Sequence, residues 1–315
     1  MKTAVVAIGG NAILLAGEKG SKEEQIKNLK ITCKYLAQLI REGYDLVITH
    51  GNGPQVGNIL LQNELAKSEI PPMALDVCNA ESQGQIGYLL QQTLNNELQA
   101  LKINKTVVSV ITQVLVDKKD PAFKNPTKPI GQYYKEKEAK KLKHDKGWEM
   151  RFDSKRGGWR RVVASPVPQK ILEHDAILRL IFSGTSGIVV IASGGGGIPV
   201  IKTKKGYEGV EAVIDKDLAA SVLARNINEK LFIILTDVPN VSINFGKPNQ
   251  KNLDKTTLKE VKQYLKEGHF AAGSMGPKIK AAIAFLENKG KKVIITSPEN
   301  LLQAIKGKAG TEITG

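Results

Sequence analysis

The chain of 315 residues has few cysteines, few aromatic residues and no long hydrophobic run. Its two cysteines, Cys33 and Cys78, lie far apart without CxxC spacing, which argues against a disulfide framework and against a zinc site. No apolar run approaches membrane-spanning length, and the short one at the N-terminus lacks the features of a signal peptide. We therefore expect a cytoplasmic protein that does not bind a membrane.

Negative charge is also scarce. The formal net charge is +15, with 46 lysines and arginines against 31 aspartates and glutamates. Aromatic residues make up only 5% of the chain and do not alternate with basic residues, so the pattern of a nucleic-acid surface is missing. The lysines are spread over predicted helix faces and loop tips. This charge suits an acidic small molecule at least as well as DNA, and we expect no nucleic-acid partner.

Short apolar segments alternate with longer amphipathic ones. The apolar segments predict strands at 4–8, 46–49, 106–111, 188–192, 231–235 and 293–296. The amphipathic segments predict a helix that begins near Ser21 and others at 78–100, 216–226 and 276–288. Ser21 with Glu24 is typical of a capping box, and Gly43 of a helix end. This alternation predicts an α/β fold, a three-layer αβα sandwich around a mostly parallel central sheet.

One segment interrupts this alternation. Residues 117–168 are rich in proline and glycine, contain both tryptophans and include only a short charged helical stretch. Long loops inside compact domains usually have a function, so we interpret this segment as a small inserted lid subdomain that ends in a hairpin. A second hairpin is predicted after Gly197.

Three of the predicted strands lead directly into glycine-rich turns. These turns are Gly9–Asn11, Gly51–Gly53 and Gly194–Gly197. Parallel strands end at one edge of a sheet, so three such turns favour a close approach of backbone N–H groups to an anion. Neither common nucleotide motif is present, because no GK pair is followed by Ser or Thr and no GxGxxG occurs.

Positive charge for an anion must therefore come from elsewhere. Lys128 lies between prolines in the insertion, Lys216 between Asp215 and Asp217 at a strand-to-helix junction, and Lys278 just inside a predicted helix. A helix start favours anions, so a lysine there suggests that an anion bridges the two. The two flanking aspartates could fix Lys216 in position. Phosphoryl transfer to an acceptor that is already anionic suits such a site, because it needs positioning and charge more than a base.

Eight motifs resemble the carbamate kinases of the amino-acid-kinase superfamily. They occur in the expected order and run over nearly the whole chain: IGGNA, THGNGPQVG, NPTKPIG, GWRRVV, SGGGGIPV, EAVIDKDLA, LTDV and GHFAAGSMGPK. The resemblance implies reversible phosphoryl transfer between carbamoyl phosphate and ADP, giving ATP and carbamate, with Mg²⁺ accompanying the nucleotide. It also implies a homodimer and a place in arginine catabolism.

The resemblance also assigns roles to residues. Catalysis would fall to Lys128, Lys216, Lys278, Asp217 and Asn11. Carbamate and the moving phosphoryl group would lie against Gly9, Gly10, Gly51, Asn52 and Gly53. The nucleotide would lie against Asp237, Met275, Gly276 and Lys278, and no side chain would hold a metal. Residues 1–200 would form the carbamate and phosphoryl lobe, with the lid at about 117–168, and residues 201–315 the nucleotide lobe.

Other functions remain open at this stage. An acetylglutamate-type kinase would need a lysine on the first strand, where this chain has Gly10. A non-enzymatic binder of anions or nucleic acid is motivated only by the +15 charge. A nicotinamide dehydrogenase is disfavoured by the failed fingerprint. Ser242 stands where the family pattern has a tyrosine near the nucleotide, a departure that bears on adenine packing.

Overall fold

The computed structural model describes residues 2–15, 17–153, 157–182, 187–271 and 273–315, with only the backbone of Asn11. Within these ranges the strands are β1 (Lys2–Ile8), β2 (Tyr44–His50), β3 (Thr106–Ser109), β4 (Gln113–Val116), β5 (Lys128–Tyr134), β6 (Met150–Asp153), β7 (Gly158–Val163), β8 (Pro168–Ile171), β9 (Ile188–Ile191), β10 (Ile198–Thr203), β11 (Gly206–Gly209), β12 (Leu231–Leu235), β13 (Val241–Ile243), β14 (Lys251–Leu253), β15 (Lys255–Thr257), β16 (Lys292–Thr296) and β17 (Thr311–Thr314). The α-helices are α1 (Lys22–Arg41), α2 (Gly53–Ala66), α3 (Leu75–Ala100), α4 (Glu136–Lys146), α5 (His174–Phe182), α6 (Lys216–Asn226), α7 (Leu258–Lys266), α8 (Met275–Glu287) and α9 (Leu301–Ile305).

The central sheet has eight strands in the order β15-β17-β16-β12-β1-β2-β9-β3. Its pairings are parallel except that of β16 with β17. Successive side chains of β1 enter two separate cores, because strand residues alternate between faces. Val5 and Ala7 pack towards α6 and α8, while Val6 and Ile8 pack towards α1 and α3. The three-layer αβα architecture predicted from sequence is confirmed.

The predicted strands all occur, and the helix predictions are close. α6 has the predicted bounds, α8 lies one residue earlier than predicted, and α3 begins at Leu75 instead of 78. The capping box of α1 forms, with Ser21 accepting from the backbone of Glu24. Helix α2 was not anticipated, because its first residues are the glycine and proline that read as a turn. Gly53 and Pro54 instead occupy its first turn, where proline is tolerated.

The insertion forms a small sheet of its own, in the order β5-β7-β6, with α4 packed beside it. Trp148, Met150 and Ala139 are buried together there, with Trp159 against them. A core of this kind stabilises the shape of the segment, which also packs against α2 of the body. The predicted hairpins are present as β6–β7 and β10–β11. Residues 154–156, which belong to the predicted lid, lie outside the described ranges.

The strand order also locates a crevice. From β1 the chain moves to β2 on one side, and it later returns to β12 on the other. Such a reversal opens a crevice beyond the carboxyl ends of the strands, where ligands of open α/β sheets bind. Gly9 follows β1 at this point, Thr236 follows β12, and Gly51 follows β2. None of the helices in the described ranges is long and apolar enough to cross a membrane.

Candidate active site

The glycine turns after β1 and β2 lie side by side at the crevice. A Cβ atom added at Gly51 would lie 3.2 Å from Cδ of Lys216 and 3.7 Å from the backbone nitrogen of Gly10. The missing side chain therefore lets Lys216 pass close to both turns. Gly10 begins a 3-10 turn and Gly53 begins α2. The first N–H groups of a helix have no partner inside that helix, so those of Gly10 and Gly53 are not used within these two elements.

Gly9 joins the ends of two neighbouring strands. Its backbone N–H donates to the carbonyl of Leu235 at 3.1 Å, and an added Cβ would lie 3.0 Å from the same oxygen. This glycine ties the end of β1 to the end of β12 and holds the turn in place. The backbone of Asn11 lies in the 3-10 turn that follows. The predicted role of its side chain lies outside what the structure describes.

The four consecutive glycines pack behind the site. Gly195, Gly196 and Gly197 have φ of +65°, +94° and +84°, which favour glycine strongly. An added Cβ at Gly194 would lie 2.5 Å from Nε2 of His50, and one at Gly195 would lie 2.2 Å from the side-chain nitrogen of Asn52. Close packing against the turn after β2 is therefore a sufficient reason for Gly194 and Gly195.

The side chain of Asn52 faces α3. Its amide nitrogen donates to Oδ1 of Asn79 at 3.1 Å and to Oγ of Ser82 at 2.8 Å. Its predicted contact with carbamate would therefore have to use the backbone. On the same face of α3, the amide of Gln83 binds both the N–H and the carbonyl of Thr112. This network was not predicted from the sequence, although polar residues at helical spacing on a buried face are a recognisable signal.

Three lysines and two aspartates meet beside the glycine turns. Nζ of Lys216 lies 2.5 Å from Oδ1 of Asp217, and Nζ of Lys278 lies 3.0 Å from Oδ2 of the same carboxylate. Nζ of Lys128, which comes from β5 of the insertion, lies 2.8 Å from Oδ2 of Asp215. The three predicted catalytic lysines thus converge, although they are far apart in sequence. The cluster carries three ammonium and two carboxylate groups, a formal charge of +1.

The pairing within the cluster differs from the one expected. Both aspartates flank Lys216 in sequence, and both were expected to hold it. Asp217 binds Lys216, whereas Asp215 turns away to Lys128 and to the start of α6. The separation arises because Asp215 is the N-cap of α6, in an extended conformation, while Lys216 and Asp217 lie inside the helix. When one residue is extended and the next is helical, their side chains point in different directions.

Burial and charge shape the acidities in this cluster. Burial disfavours the carboxylate of Asp217, but Lys216 and Lys278 outweigh it and hold the pKa of Asp217 well below its usual range. Burial lowers the pKa of Lys216 although Asp217 opposes this. For Lys278 burial is outweighed by the carboxylate of Asp217, and the pKa is raised. An incoming anion would favour the charged form of Lys216, which burial disfavours.

His50 supports the turn after β2. Burial lowers the pKa of His50 to about 4, and the nearby charge of Lys216 adds to this. The imidazole is therefore neutral near pH 7. Its Nδ1 lies 3.0 Å from the carbonyl oxygen of Gly51, which can only accept, so Nδ1 carries the hydrogen. This buried ring orients the Gly51 peptide.

The residues predicted to meet the nucleotide lie at the other side of the crevice. Asp237 is exposed just after β12, accepts a hydrogen bond from the hydroxyl of Thr236 at 3.0 Å, and contributes to the raised pKa of Lys278. Met275 begins α8 and is partly buried. The N–H of Gly276 donates to the carbonyl of Ala271 at 2.9 Å, and an added Cβ there would lie 3.0 Å from the same oxygen. Gly276 thus shapes the turn.

Ser242, at the position where the family pattern has a tyrosine, lies on β13. Its side chain is buried, and its hydroxyl donates to Oδ1 of Asn252 at 2.7 Å across the β13–β14 pair. The serine therefore stabilises its own hairpin. In the part of the chain that the structure describes, no group of three or more His, Cys, Asp or Glu side chains could hold a metal ion. Each oxygen of Asp217 already accepts a hydrogen bond from a lysine.

Known proteins resemble this chain over its full length. The family profile described as "Amino acid kinase family" matches residues 2–297. The carbamate kinase of Pyrococcus horikoshii is 51% identical over 312 residues, which cover 98% of each chain. The solved structure of carbamate kinase from Giardia lamblia bound to citric acid has a TM-score of 0.93 at 47% identity, covering 99% of this chain and 98% of that one. The same enzyme bound to AMP-PNP has a TM-score of 0.90 at 48% identity, with the same coverage.

Proposed function

This chain belongs to the amino acid kinase family and, within it, to the carbamate kinases, and from this premise we propose how it works. The reaction is the reversible transfer of a phosphoryl group between carbamoyl phosphate and ADP, which yields carbamate and ATP. The observation that carries the mechanism is the convergence of Lys128, Lys216 and Lys278 on two aspartates beside the glycine turns.

The three lysines would neutralise the moving phosphoryl group. An ammonium group has three N–H donors, and each lysine uses one of them on an aspartate. The remaining donors of Lys216 and Lys278 can face the transferring and bridging oxygens from the body of the protein, while Lys128 approaches from the lid. Fixed positive charge of this kind stabilises the transition state, because the phosphoryl oxygens carry the charge that shifts during transfer.

The acceptor carbamate does not need a general base. Its oxygen is already an anion, so it attacks without losing a proton. His50, the histidine nearest to the turns, is buried, neutral and bound to the carbonyl of Gly51, which suits orientation of the peptide. Carbamate and the phosphoryl group would lie against the backbone of Gly9, Gly10 and Asn11 on one side, and against Gly51, Asn52 and Gly53 on the other.

The nucleotide would occupy the crevice beyond β12. AMP-PNP binds the similar Giardia lamblia enzyme, which supports nucleotide binding here. Asp237, Met275, Gly276 and Lys278 border this side. Mg²⁺ would arrive with the phosphates of the nucleotide and supply Lewis-acid stabilisation of their oxygens. No side chain is assigned to it, because Asp217 is fully engaged by Lys216 and Lys278.

The larger organisation is also proposed. Residues 1–200 form the carbamate and phosphoryl lobe with its lid, and residues 201–315 the nucleotide lobe. A cytoplasmic enzyme of arginine catabolism fits this reaction. A homodimer is proposed from the resemblance to the carbamate kinases. Light scattering during size exclusion tests the dimer, and a mass of one chain at all concentrations would refute it.

ATP formation from MgADP and carbamoyl phosphate tests the function. Acetyl phosphate and acetylglutamyl phosphate are offered in parallel as alternative donors. We expect rapid ATP formation from carbamoyl phosphate alone. Faster ATP formation from another donor would identify a different carboxylate kinase of the same family, and no ATP from any donor would refute the proposed reaction.

A further inference from the structure

Asp215 makes contacts on both sides of the boundary between lid and body. Its Oδ2 accepts from Nζ of Lys128 at 2.8 Å, while its Oδ1 accepts from the backbone N–H groups of Asp217 at 3.0 Å and Leu218 at 3.4 Å. The first contact reaches β5 in the lid. The other two cap α6, the helix that carries Lys216. One carboxylate therefore joins Lys128 of the lid to the helix that carries Lys216.

The surroundings make this contact more than a surface ion pair. The side chain of Lys128 is 25% exposed and that of Asp215 is 17% exposed, so water screens the pair only partly. The backbone N–H groups of α6 fix the orientation of the carboxylate. Because Nζ of Lys128 donates one hydrogen to a fixed oxygen, the directions of its remaining two donors are restricted as well.

We propose that Asp215 is a positioning residue, which places Lys128 at the transferring phosphoryl group and ties closure of the lid to α6. This inference rests on the proposed function. Asp217 fixes Lys216 and Lys278 at the rim, the edge of the central sheet where the glycine turns lie. Asp215 does the same for Lys128, which the lid supplies to the cluster. Asp215 and Asp217 are separated by one residue. The same turn of helix α6 therefore sets the position of Lys128 and of the other two lysines.

A simple latch between lid and body would predict something different. The lid has a second ion pair to the body, between Lys146 on α4 and Glu64 on α2, at 3.1 Å. If Asp215 served only to hold the lid down, loss of either pair would affect turnover alike. Glu64→Gln is therefore the matched control, because it removes a lid contact away from the phosphoryl site.

The first arm measures kcat and KM for Asp215→Asn. Asparagine caps helices as well as aspartate does, so the cap of α6 is kept and the melting temperature should fall by only a few degrees, through loss of the partly exposed ion pair. Loss of a charge-assisted contact that orients Lys128 should lower kcat about tenfold or more, with KM for carbamoyl phosphate changing about twofold or less. Glu64→Gln should keep kcat within about twofold of the unmodified protein. Equal effects of the two substitutions, or full turnover of Asp215→Asn, would overturn the proposal.

The second arm asks whether Asp215 acts through Lys128. In a Lys128→Ala background, Asp215→Asn should cause no further loss beyond about twofold, because the group that it positions is absent. If the two losses multiply, Asp215 acts through the α6 cap or directly on the ligand, and the proposal is wrong.

The third arm does not require activity. Limiting acetic anhydride labels lysines, and an amine held against a carboxylate reacts more slowly than a released one. Peptide mass spectrometry should show labelling of Lys128 rising severalfold in Asp215→Asn, with Lys146 unchanged. No ATP from the unmodified protein would refute the proposed function while this arm still tests the contact. Unchanged labelling of Lys128 in an active enzyme would refute the positioning role alone.

Discussion

The rim of the central sheet and the lid supply positive charge in different ways. On the rim, Lys216 and Asp217 are almost fully buried in α6, which packs against α8 and the sheet. On the lid, Lys128 is a quarter exposed and lies on a three-stranded sheet with its own core around Trp148. The rim charge is therefore part of the fold, whereas the lid charge depends on docking. Mutations on the rim should affect stability and turnover together, and those on the lid should separate them.

Asp217→Asn should have the largest effect, because both rim lysines depend on this carboxylate. The substitution leaves Lys216 and Lys278 buried side by side without a counter-charge. We expect kcat to fall about 1,000-fold and the free energy of unfolding to drop by roughly 3 kcal/mol. Steady-state kinetics and urea unfolding measure the two losses.

Asp45→Asn is the matched control for that experiment. Asp45 is a buried aspartate at the other end of β2, paired with Nζ of Lys105 at 2.5 Å. Its loss should lower stability but leave kcat within about twofold, because it lies far from the glycine turns. If Asp217→Asn loses stability but keeps its turnover, the rim cluster has no catalytic role.

Lys128→Ala, on the lid, should lower turnover with little loss of stability. We expect kcat to fall about 100-fold, because one fixed charge at the transferring group is removed. The melting temperature should change little, since the side chain is partly exposed. Lys146→Ala is the control, because Lys146 is a lid lysine of almost equal exposure, 24% against 25%, paired with Glu64 instead of Asp215. Equal turnover of the two variants would exclude Lys128 from the site.

The same contrast explains what the sequence can predict. Rim features follow from local rules, so the strands, the capping box at Ser21 and the glycine turns could be predicted from spacing alone. The sequence settings of Lys128, Lys216 and Lys278 mark them as candidates, but their meeting could not be derived from spacing, because it depends on tertiary packing. The partner of Asp215 could not be predicted, since it depends on where the lid docks. The amide network of Asn52 was missed because its partners lie on another helix.

Gly57→Ala tests how the lid docks. Gly57 on α2 faces Gly131 on β5, and an added Cβ would lie 2.0 Å from Cα of Gly131. Because backbone atoms are in the way, the lid must move, carrying Lys128 away from the rim. We expect kcat to fall about tenfold and stability to fall by about 1–2 kcal/mol.

Gly84→Ala is the control for this helix glycine. An added Cβ at Gly84 on α3 meets no atom within 4 Å. The substitution should leave kcat unchanged and stabilise the protein by up to about 1 kcal/mol, as alanine favours helices. Wild-type turnover in Gly57→Ala would show that the position of the lid does not limit the reaction.

The last contrast concerns acid, and it sets a rim histidine against a lid histidine. His50 has its pKa lowered from 6.5 to about 4, so the unfolded chain binds its proton more readily than the folded one. The contribution of neutral His50 to the free energy of unfolding is complete above pH 6.5. It is lost as pH falls towards 4, a loss of about 2–3 kcal/mol. His50→Asn, which keeps a donor for the carbonyl of Gly51, should flatten this decline between pH 7 and 4.5. The side chain of His144 on α4 is 90% exposed, so His144→Asn should leave this decline as it is in the unmodified protein. Urea unfolding at several pH values measures the slopes, and equal slopes for both variants would mean that His50 is not held neutral by the rim.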